Sequence, residues 1–219
     1  MWLSSPVPEM STNRKTQTDA KSTSGFSRLE KVHPYKTFLF FSLVGSTILF
    51  LSMAFLYFLT LSRSGLPPGF HLPKAFSVST VFLLLSSFCL SHTLKGYKND
   101  SIRQIKQSLY GTLALGFIFC VAQITGWMQL SNSGFFLNTN VGIAYLYVIT
   151  GLHFLHVAGG MIYLVFLTHN ISQVSGDVVK TLLFYTDSFQ YTRLQLTSIY
   201  WHFVDVLWIL LFFMFLFAF

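Results

Sequence analysis

The sequence contains few charged residues. Only 10% of its 219 residues are Asp, Glu, Lys or Arg, whereas about a quarter are charged in an average soluble domain. Apolar side chains make up 53% of the chain, and phenylalanine alone occurs 25 times. The core of a soluble protein of this length cannot bury so many large apolar side chains, so much of the molecular surface must face lipid. The shortage of charge therefore excludes an ordinary soluble domain.

Cysteine is also scarce, and the common catalytic motifs are missing. Cys89 and Cys120 are the only two cysteines, and they form neither a CxxC pair nor a metal-ligand spacing with histidine. Both are predicted to be buried, inert thiols. Nothing in the sequence resembles a nucleotide-binding loop, a Ser/His/Asp set or a paired-carboxylate hydrolase site. We therefore expect no catalytic residue in this chain.

Acidic residues number only seven, and Asp205 is the one that lies inside a long apolar run. A carboxylate at that depth costs about 2.5–3.5 kcal/mol on insertion scales, so it needs a partner. His202 precedes it by three residues and shares its helical face. The two side chains can pair with each other or with groups on a neighbouring subunit. A structural clamp is the simpler interpretation, because no second acid continues a proton relay through the chain.

Five apolar runs are each long enough to cross a hydrocarbon core of about 30 Å, which needs roughly 20 helical residues. They span about residues 37–61, 76–94, 108–130, 141–168 and 194–219, and turn-forming segments such as Ser175-Gly176-Asp177 separate them. Because backbone groups in lipid must be satisfied internally, each run is predicted to be a helix. The fold class is thus all-α, a polytopic membrane protein. A flexible polar tail, residues 1–34, is expected before a five-transmembrane-helix bundle in residues 35–219.

Lysine and arginine are distributed unequally between the two ends of these helices. Twelve lie in the N-terminal tail, the second loop and the fourth loop, and only Arg63 and Lys74 lie at the opposite end. The positive-inside rule therefore predicts a cytoplasmic N-terminus and an outside C-terminus. Topology explains the net charge of +7 more simply than nucleic-acid binding, so no nucleic-acid partner is expected. The odd number of helices also argues against an inverted-repeat transporter.

Two histidines, His153 and His156, lie one turn apart in the fourth run. Such a pair can ligate a metal or a haem. A site of that kind needs further ligands, and no cysteine or carboxylate other than Asp205 lies at a comparable depth. Hydrogen bonds from the imidazoles to neighbouring helices are the simpler interpretation.

Two further features predict helix packing. Gln123 and Trp127 lie one turn apart in the third run, where the amide is expected to hydrogen-bond to another helix and the indole to lie near the membrane boundary. Gly151, Ala158 and Gly159 form a stripe of small residues in the fourth run. Such a stripe predicts that another helix approaches closely there.

The last runs contain segments that resemble a known family. Residues 200–208 read YWHFVDVLW, which resembles the signature of the last helix of cytochrome c oxidase subunit III. Residues 150–157 read TGLHFLHV, which resembles the TGxHxxHV segment of the preceding helix in that family. Gln123 and Trp127 are similar to a Gln and aromatic pair one helix earlier. The resemblance covers about residues 35–219.

The resemblance implies a non-catalytic subunit of a proton-translocating haem–copper oxidase of aerobic respiration, most simply an aa3-type cytochrome c oxidase. The five-helix form implies a multi-pass protein of the bacterial cytoplasmic membrane. Haem and copper are then expected in the partner subunits I and II, with no cofactor in this chain. The implied role is to pack on subunit I, bind phospholipid, and support complex stability and sustained proton uptake, with further respiratory complexes as additional partners. The residues expected to make structural, subunit or lipid contacts are Gln123, Trp127, His153, His156, Trp201, His202 and Asp205.

Two departures and two alternatives accompany this resemblance. Ser46 stands where the family usually has an acidic residue, and Gly126 stands where it has another, so roles attributed to those carboxylates do not transfer. The third subunit of a quinol oxidase remains an alternative, because subunit II decides the electron donor. An alternative of another class is a small haem- or metal-binding membrane protein that uses His153 and His156.

Overall fold

The computed structural model describes residues 34–65 and 67–217. Every secondary-structure element in this part of the chain is an α-helix. In chain order they are α1 (Pro34–Ser64), α2 (Lys74–Lys98), α3 (Ile102–Asn132), α4 (Val141–Val174), α5 (Val178–Thr186) and α6 (Ser188–Phe217). The described residues from Leu39 onward belong to one compact unit. The predicted tail, apart from Pro34, and the predicted end of the last helix at Phe219 lie outside the described residues.

Five of these helices, all except α5, are long and apolar enough to cross a membrane. The shortest of them, α2, has 25 residues, about 37 Å at 1.5 Å per residue. The predicted all-α fold with five spanning helices is therefore confirmed. The helices extend beyond the apolar runs into polar residues, as where α4 continues to Val174 instead of ending near Thr168. Helical hydrogen bonds continue there because the backbone still needs its partners in the interfacial region.

The short helix α5 was not predicted. Its nine residues are too few to cross a bilayer, so a search for long apolar runs does not detect it. Asp177, which the sequence analysis assigned to a separating turn, is its N-cap, and the Oδ1 atom of Asp177 accepts a hydrogen bond of 2.9 Å from the backbone N–H of Val179. The turn that separates the two helices thus supplies the N-cap of the second one, a position that aspartate commonly occupies.

Four of the spanning helices form the core of the bundle. Helix α2 packs against α3 and α6, and α4 packs against both α3 and α6. In an apolar stretch of 18 residues from each helix, 28% of α2 and 33% of α3, α4 and α6 is buried inside the protein, compared with 6% of α1. Helix α1 turns Phe50 and Tyr57 inward, and the Tyr57 ring meets the Phe215 ring of α6 at a centroid distance of 5.5 Å.

Candidate functional site

Two tryptophans of α6 bond to hydroxyl groups of α2. The indole Nε1 of Trp201 donates to the Ser86 hydroxyl at 3.0 Å, and the indole Nε1 of Trp208 donates to the Thr80 hydroxyl at 2.9 Å. Both indoles are fully buried. Because a buried indole N–H needs an acceptor, these two bonds fix both the rotation and the depth of α6 against α2.

His202 also bonds to α2, through Ser87. Its ring Nδ1 lies 2.6 Å from the Ser87 hydroxyl, so the hydrogen-bonding partner of His202 within the chain is Ser87 rather than Asp205. The Asp205 carboxylate is buried and lies beside the same hydroxyl. Within the described part of the chain, neither carboxylate oxygen makes a hydrogen bond of good geometry. Among the described residues, His202 and Asp205 therefore do not pair with each other, and both lie beside Ser87 of α2.

His153 lies in an aromatic cage formed by Phe50, Phe119 and Trp208. Its imidazole stacks on the Trp208 indole at a centroid distance of 4.7 Å and an interplanar angle of 27°. Phe119 and Phe50 meet its edges at 5.9 Å and 6.5 Å. Neither ring nitrogen has a hydrogen-bond partner among the described residues. The expectation that this imidazole hydrogen-bonds across helices is therefore wrong for His153, which joins α4 to α6 by stacking.

His156 follows the hydrogen-bonding expectation. Its Nδ1 lies 2.9 Å from the Leu152 carbonyl, which makes Nδ1 the protonated nitrogen and leaves Nε2 as an acceptor. The Ser46 hydroxyl of α1 lies 3.0 Å from that Nε2. The hydroxyl of Tyr200 donates to the backbone carbonyl of His156 at 2.9 Å. His156 thus connects α4 to α1 through its ring Nε2 and to α6 through its backbone carbonyl, while its Nδ1 bonds within α4.

Gln123 and Trp127 of α3 reach two different helices. The Gln123 amide Nε2 donates to the Ser79 hydroxyl of α2 at 3.1 Å, and the Trp127 Nε1 donates to the Thr150 hydroxyl of α4 at 3.1 Å. Their spacing of four residues places both side chains on one helical face. Helix α3 packs against both α2 and α4, so residues one turn apart on it bond to opposite neighbours.

The close approach between α4 and α6 occurs at Gly160. A Cβ atom at Gly160 would lie 2.8 Å from the Tyr200 ring and 3.3 Å from the Trp201 ring. At Gly151 and Gly159 a Cβ atom would meet nothing within 4 Å. The prediction that those two glycines form the close contact is therefore wrong. Adjacent glycines point about 100° apart around a helix, and only Gly160 faces the two rings.

Trp208 is one residue of this site that was not singled out from the sequence. It carries the stacking with His153, an edge contact with Phe119 at 5.5 Å and the bond to Thr80. The available signal is its spacing, seven residues after Trp201, which places both indoles on one face of a helix. Across the described part of the chain, no three His, Cys, Asp or Glu side chains come together to hold a metal ion.

Comparison with known proteins adds to this geometry. Residues 35–219 match the model of a family described as cytochrome c oxidase subunit III. The chain is 32% identical over 136 residues to cytochrome c oxidase subunit 3 of Thermostichus vulcanus, an alignment that covers 62% of each protein. It is 30% identical over 146 residues to the probable cytochrome c oxidase subunit 3 of Nocardia farcinica, covering 67% of this chain and 66% of the relative.

A further relative has a different named activity. The chain is 25% identical over 180 residues to cytochrome bo(3) ubiquinol oxidase subunit 3 of Buchnera aphidicola, an alignment that covers 80% of this chain and 88% of that protein. The relatives that resemble this chain thus carry the names of two kinds of oxidase, which differ in the electron donor.

Proposed function

This chain belongs to the cytochrome c oxidase subunit III family, and from that premise we propose that it is a non-catalytic subunit of a haem–copper terminal oxidase. The observation that carries the proposal is the use of its conspicuous polar residues. His156, Trp201 and His202 each make a side-chain hydrogen bond to another helix of this chain. Haem and copper then belong to subunits I and II, and this subunit contributes stability and sustained proton uptake.

Helix α1 belongs to the surface that we propose to contact lipid and the neighbouring subunit. Ile48, Phe55 and Phe58 are among its large apolar side chains that are exposed in the isolated chain. In a bilayer, such a surface suits acyl chains or the apolar helices of another subunit. We place subunit I and phospholipid against this part of the molecule.

The proposed orientation has the N-terminus in the cytoplasm of a bacterial cell. The lysine-rich connection between α2 and α3 lies at the same end as the connection after α4, because the Lys106 ammonium donates to the Ser175 hydroxyl at 3.0 Å. The positive-inside rule assigns that end to the cytoplasm.

Purification in mild detergent through an N-terminal affinity tag tests the function. We expect a haem–copper catalytic subunit to co-purify with the tagged chain and the preparation to reduce dioxygen. A stable preparation without any oxidase subunit would contradict the proposal.

The same preparation separates the two electron donors. Reduced cytochrome c is the donor that we propose, since relatives at 32% and 30% identity are named for it. The quinol alternative is favoured by the long alignment with the Buchnera protein. Oxidation of ubiquinol but not of cytochrome c by the purified complex would decide for the quinol oxidase.

Asp205 separates the clamp from a proton relay. We expect Asp205→Ala to weaken the association of this chain with the complex while leaving the haem spectra unchanged, and Asp205→Asn to weaken it less because the amide still packs beside Ser87. Intact assembly with normal oxygen reduction but no proton pumping in Asp205→Ala would instead support a relay. Subunit retention on a sizing column and proton release from vesicles are the two measurements.

A further inference from the structure

Helix α5 is held at the level of the membrane boundary by its two neighbours. It begins at Val178, four residues after α4 ends at Val174, and it is followed almost at once by α6, which begins at Ser188. Both neighbours are spanning helices. A nine-residue helix is only about 13 Å long and cannot enter the bilayer on end without burying unpaired backbone groups. Its axis therefore has to stay near the boundary plane.

One side of α5 is fixed to the bundle. Phe184 is buried there and its ring meets the Tyr97 ring of α2 at 5.7 Å. The Tyr97 hydroxyl donates to the backbone carbonyl of Tyr185 at 3.2 Å, and the Thr181 hydroxyl donates to the Val174 carbonyl at 3.2 Å. These contacts determine which side of α5 points away from the protein.

The outer face of α5 is apolar. It consists of Val178, Val179, Leu182 and Leu183, whose exposed fractions lie between 68% and 86%. At 100° per residue these four side chains cover an arc of about 140°. Thr186 is the only polar residue inside that arc. A helix with a compact apolar face and a short polar edge at a membrane boundary has the character of an interfacial helix.

We propose that α5 lies in the plane of the membrane with its outer face inserted between the lipid headgroups of one leaflet. The occupant is the lipid surface, because α5 directly connects α4 and α6, and exposed apolar side chains of α4 such as Val165 and Phe166 form a surface suited to lipid. The spanning helices already require lipid against that surface. The outer face of α5 therefore meets the same bilayer at its rim.

Charge at this end of the bundle suits a leaflet that contains anionic lipids. In the two described segments around α5, residues 95–106 and 175–193, six side chains are basic and three are acidic. The basic residues are Lys95, Lys98, Arg103, Lys106, Lys180 and Arg193, and the acidic ones are Asp100, Asp177 and Asp187. Basic groups flanking an apolar face strengthen binding to anionic headgroups. The inference rests on the spanning helices and not on the proposed function, so it can fail independently.

Site-specific quenching in the intact purified complex tests the proposal. Leu182→Cys carries an environment-sensitive fluorophore in nanodiscs that contain anionic phospholipid, with Val178→Cys as a second position if the first variant assembles poorly. The quenchers are phospholipid with a nitroxide near the headgroup and aqueous iodide. The matched control is Asn99→Cys, an exposed position in the loop at the same end.

We expect the nitroxide lipid to remove most of the fluorescence at Leu182→Cys and iodide to remove little, with the reverse at Asn99→Cys. Quenching by iodide at Leu182→Cys as strong as at Asn99→Cys would overturn the proposal, because the face would lie in water. Protection from both quenchers would also overturn it, since another subunit or another segment of the chain would then cover the outer face.

Discussion

Helices α1 and α6 are similar in length and hydrophobicity, but they differ in how much of their surface packs against the rest of the protein. They have 31 and 30 residues, and both are apolar enough to span a membrane. In an apolar stretch of 18 residues, only 6% of α1 is buried inside the protein, compared with 33% of α6. Hydrophobicity therefore does not distinguish a core helix from a peripheral helix in this protein.

Polar and small side chains account for the difference. Lipid tails are as apolar as leucine, so no hydrophobic force draws one spanning helix to another, and hydrogen bonds and close packing decide the contacts. Helix α6 bonds to α2 through Trp201, His202 and Trp208. In α1, Thr47 and Ser52 bond to carbonyls of their own helix, whereas the Ser46 hydroxyl bonds to His156 of α4.

The largest loss of stability is expected from truncating Trp208, which joins α6 to both α2 and α4. Trp208→Ala leaves a cavity beside His153 and removes the interhelical bond to the Thr80 hydroxyl, and we expect a loss of about 3–5 kcal/mol in the free energy of unfolding. Leu210→Ala, at an exposed position of the same helix, is the control and should change it little. Denaturation of the detergent-solubilised chain with increasing SDS measures both, and equal midpoints for the two variants would remove the distinction between the faces of α6.

The adjacent glycines of α4 test the close packing against α6. Gly160→Ala places a Cβ atom against the rigid rings of Tyr200 and Trp201, and we expect a loss of about 1–3 kcal/mol from overpacking. Gly159→Ala has open space and the same change in helix propensity, so it should be neutral or slightly stabilising. The difference between the two SDS midpoints isolates the contact, and the account is wrong if Gly159→Ala is the more damaging of the pair.

The hydrogen bond between His202 and Ser87 is expected to contribute less. A double-mutant cycle with His202→Leu and Ser87→Ala should give a coupling energy of about 0.6 kcal/mol, the average for interhelical hydrogen bonds in a membrane protein, and at most about 1.7 kcal/mol. Ser91→Ala is the matched control, because the Ser91 hydroxyl bonds to the Phe88 carbonyl of its own helix. A coupling of His202 to Ser91 as large as that to Ser87 would show that the cycle does not report this bond.

The smallest effect is expected at α1. Ser46→Ala removes its interhelical bond to His156, and we expect less than about 1 kcal/mol in overall stability with faster hydrogen exchange confined to α1. Ser52→Ala removes only a bond within α1 and should leave the exchange pattern unchanged. If Ser46→Ala destabilised the bundle as much as Trp208→Ala, the contrast between α1 and α6 would not hold.

Much of the fold follows from the sequence, because five apolar runs in a chain with little charge permit one interpretation. Helix α5 escaped prediction since a nine-residue amphipathic segment has no length signal. The partners Ser46 and Ser87 were equally hidden, because serine is common in this chain and only tertiary packing selects which hydroxyl meets a histidine. Close packing was predicted at Gly159 but occurs at Gly160. A shift of one residue along a helix moves the side chain to a different face.

The central claim is that the histidines and Asp205 of the family motifs serve packing within a subunit that carries no redox cofactor. Haem and metal analysis of the isolated, folded chain, by reduced-minus-oxidised optical spectra and elemental analysis, tests it most directly. We predict neither haem nor a stoichiometric metal in the isolated chain, and both in the complex from which it was separated. One haem or metal ion per isolated chain, lost on replacing His153 or His156, would contradict the account.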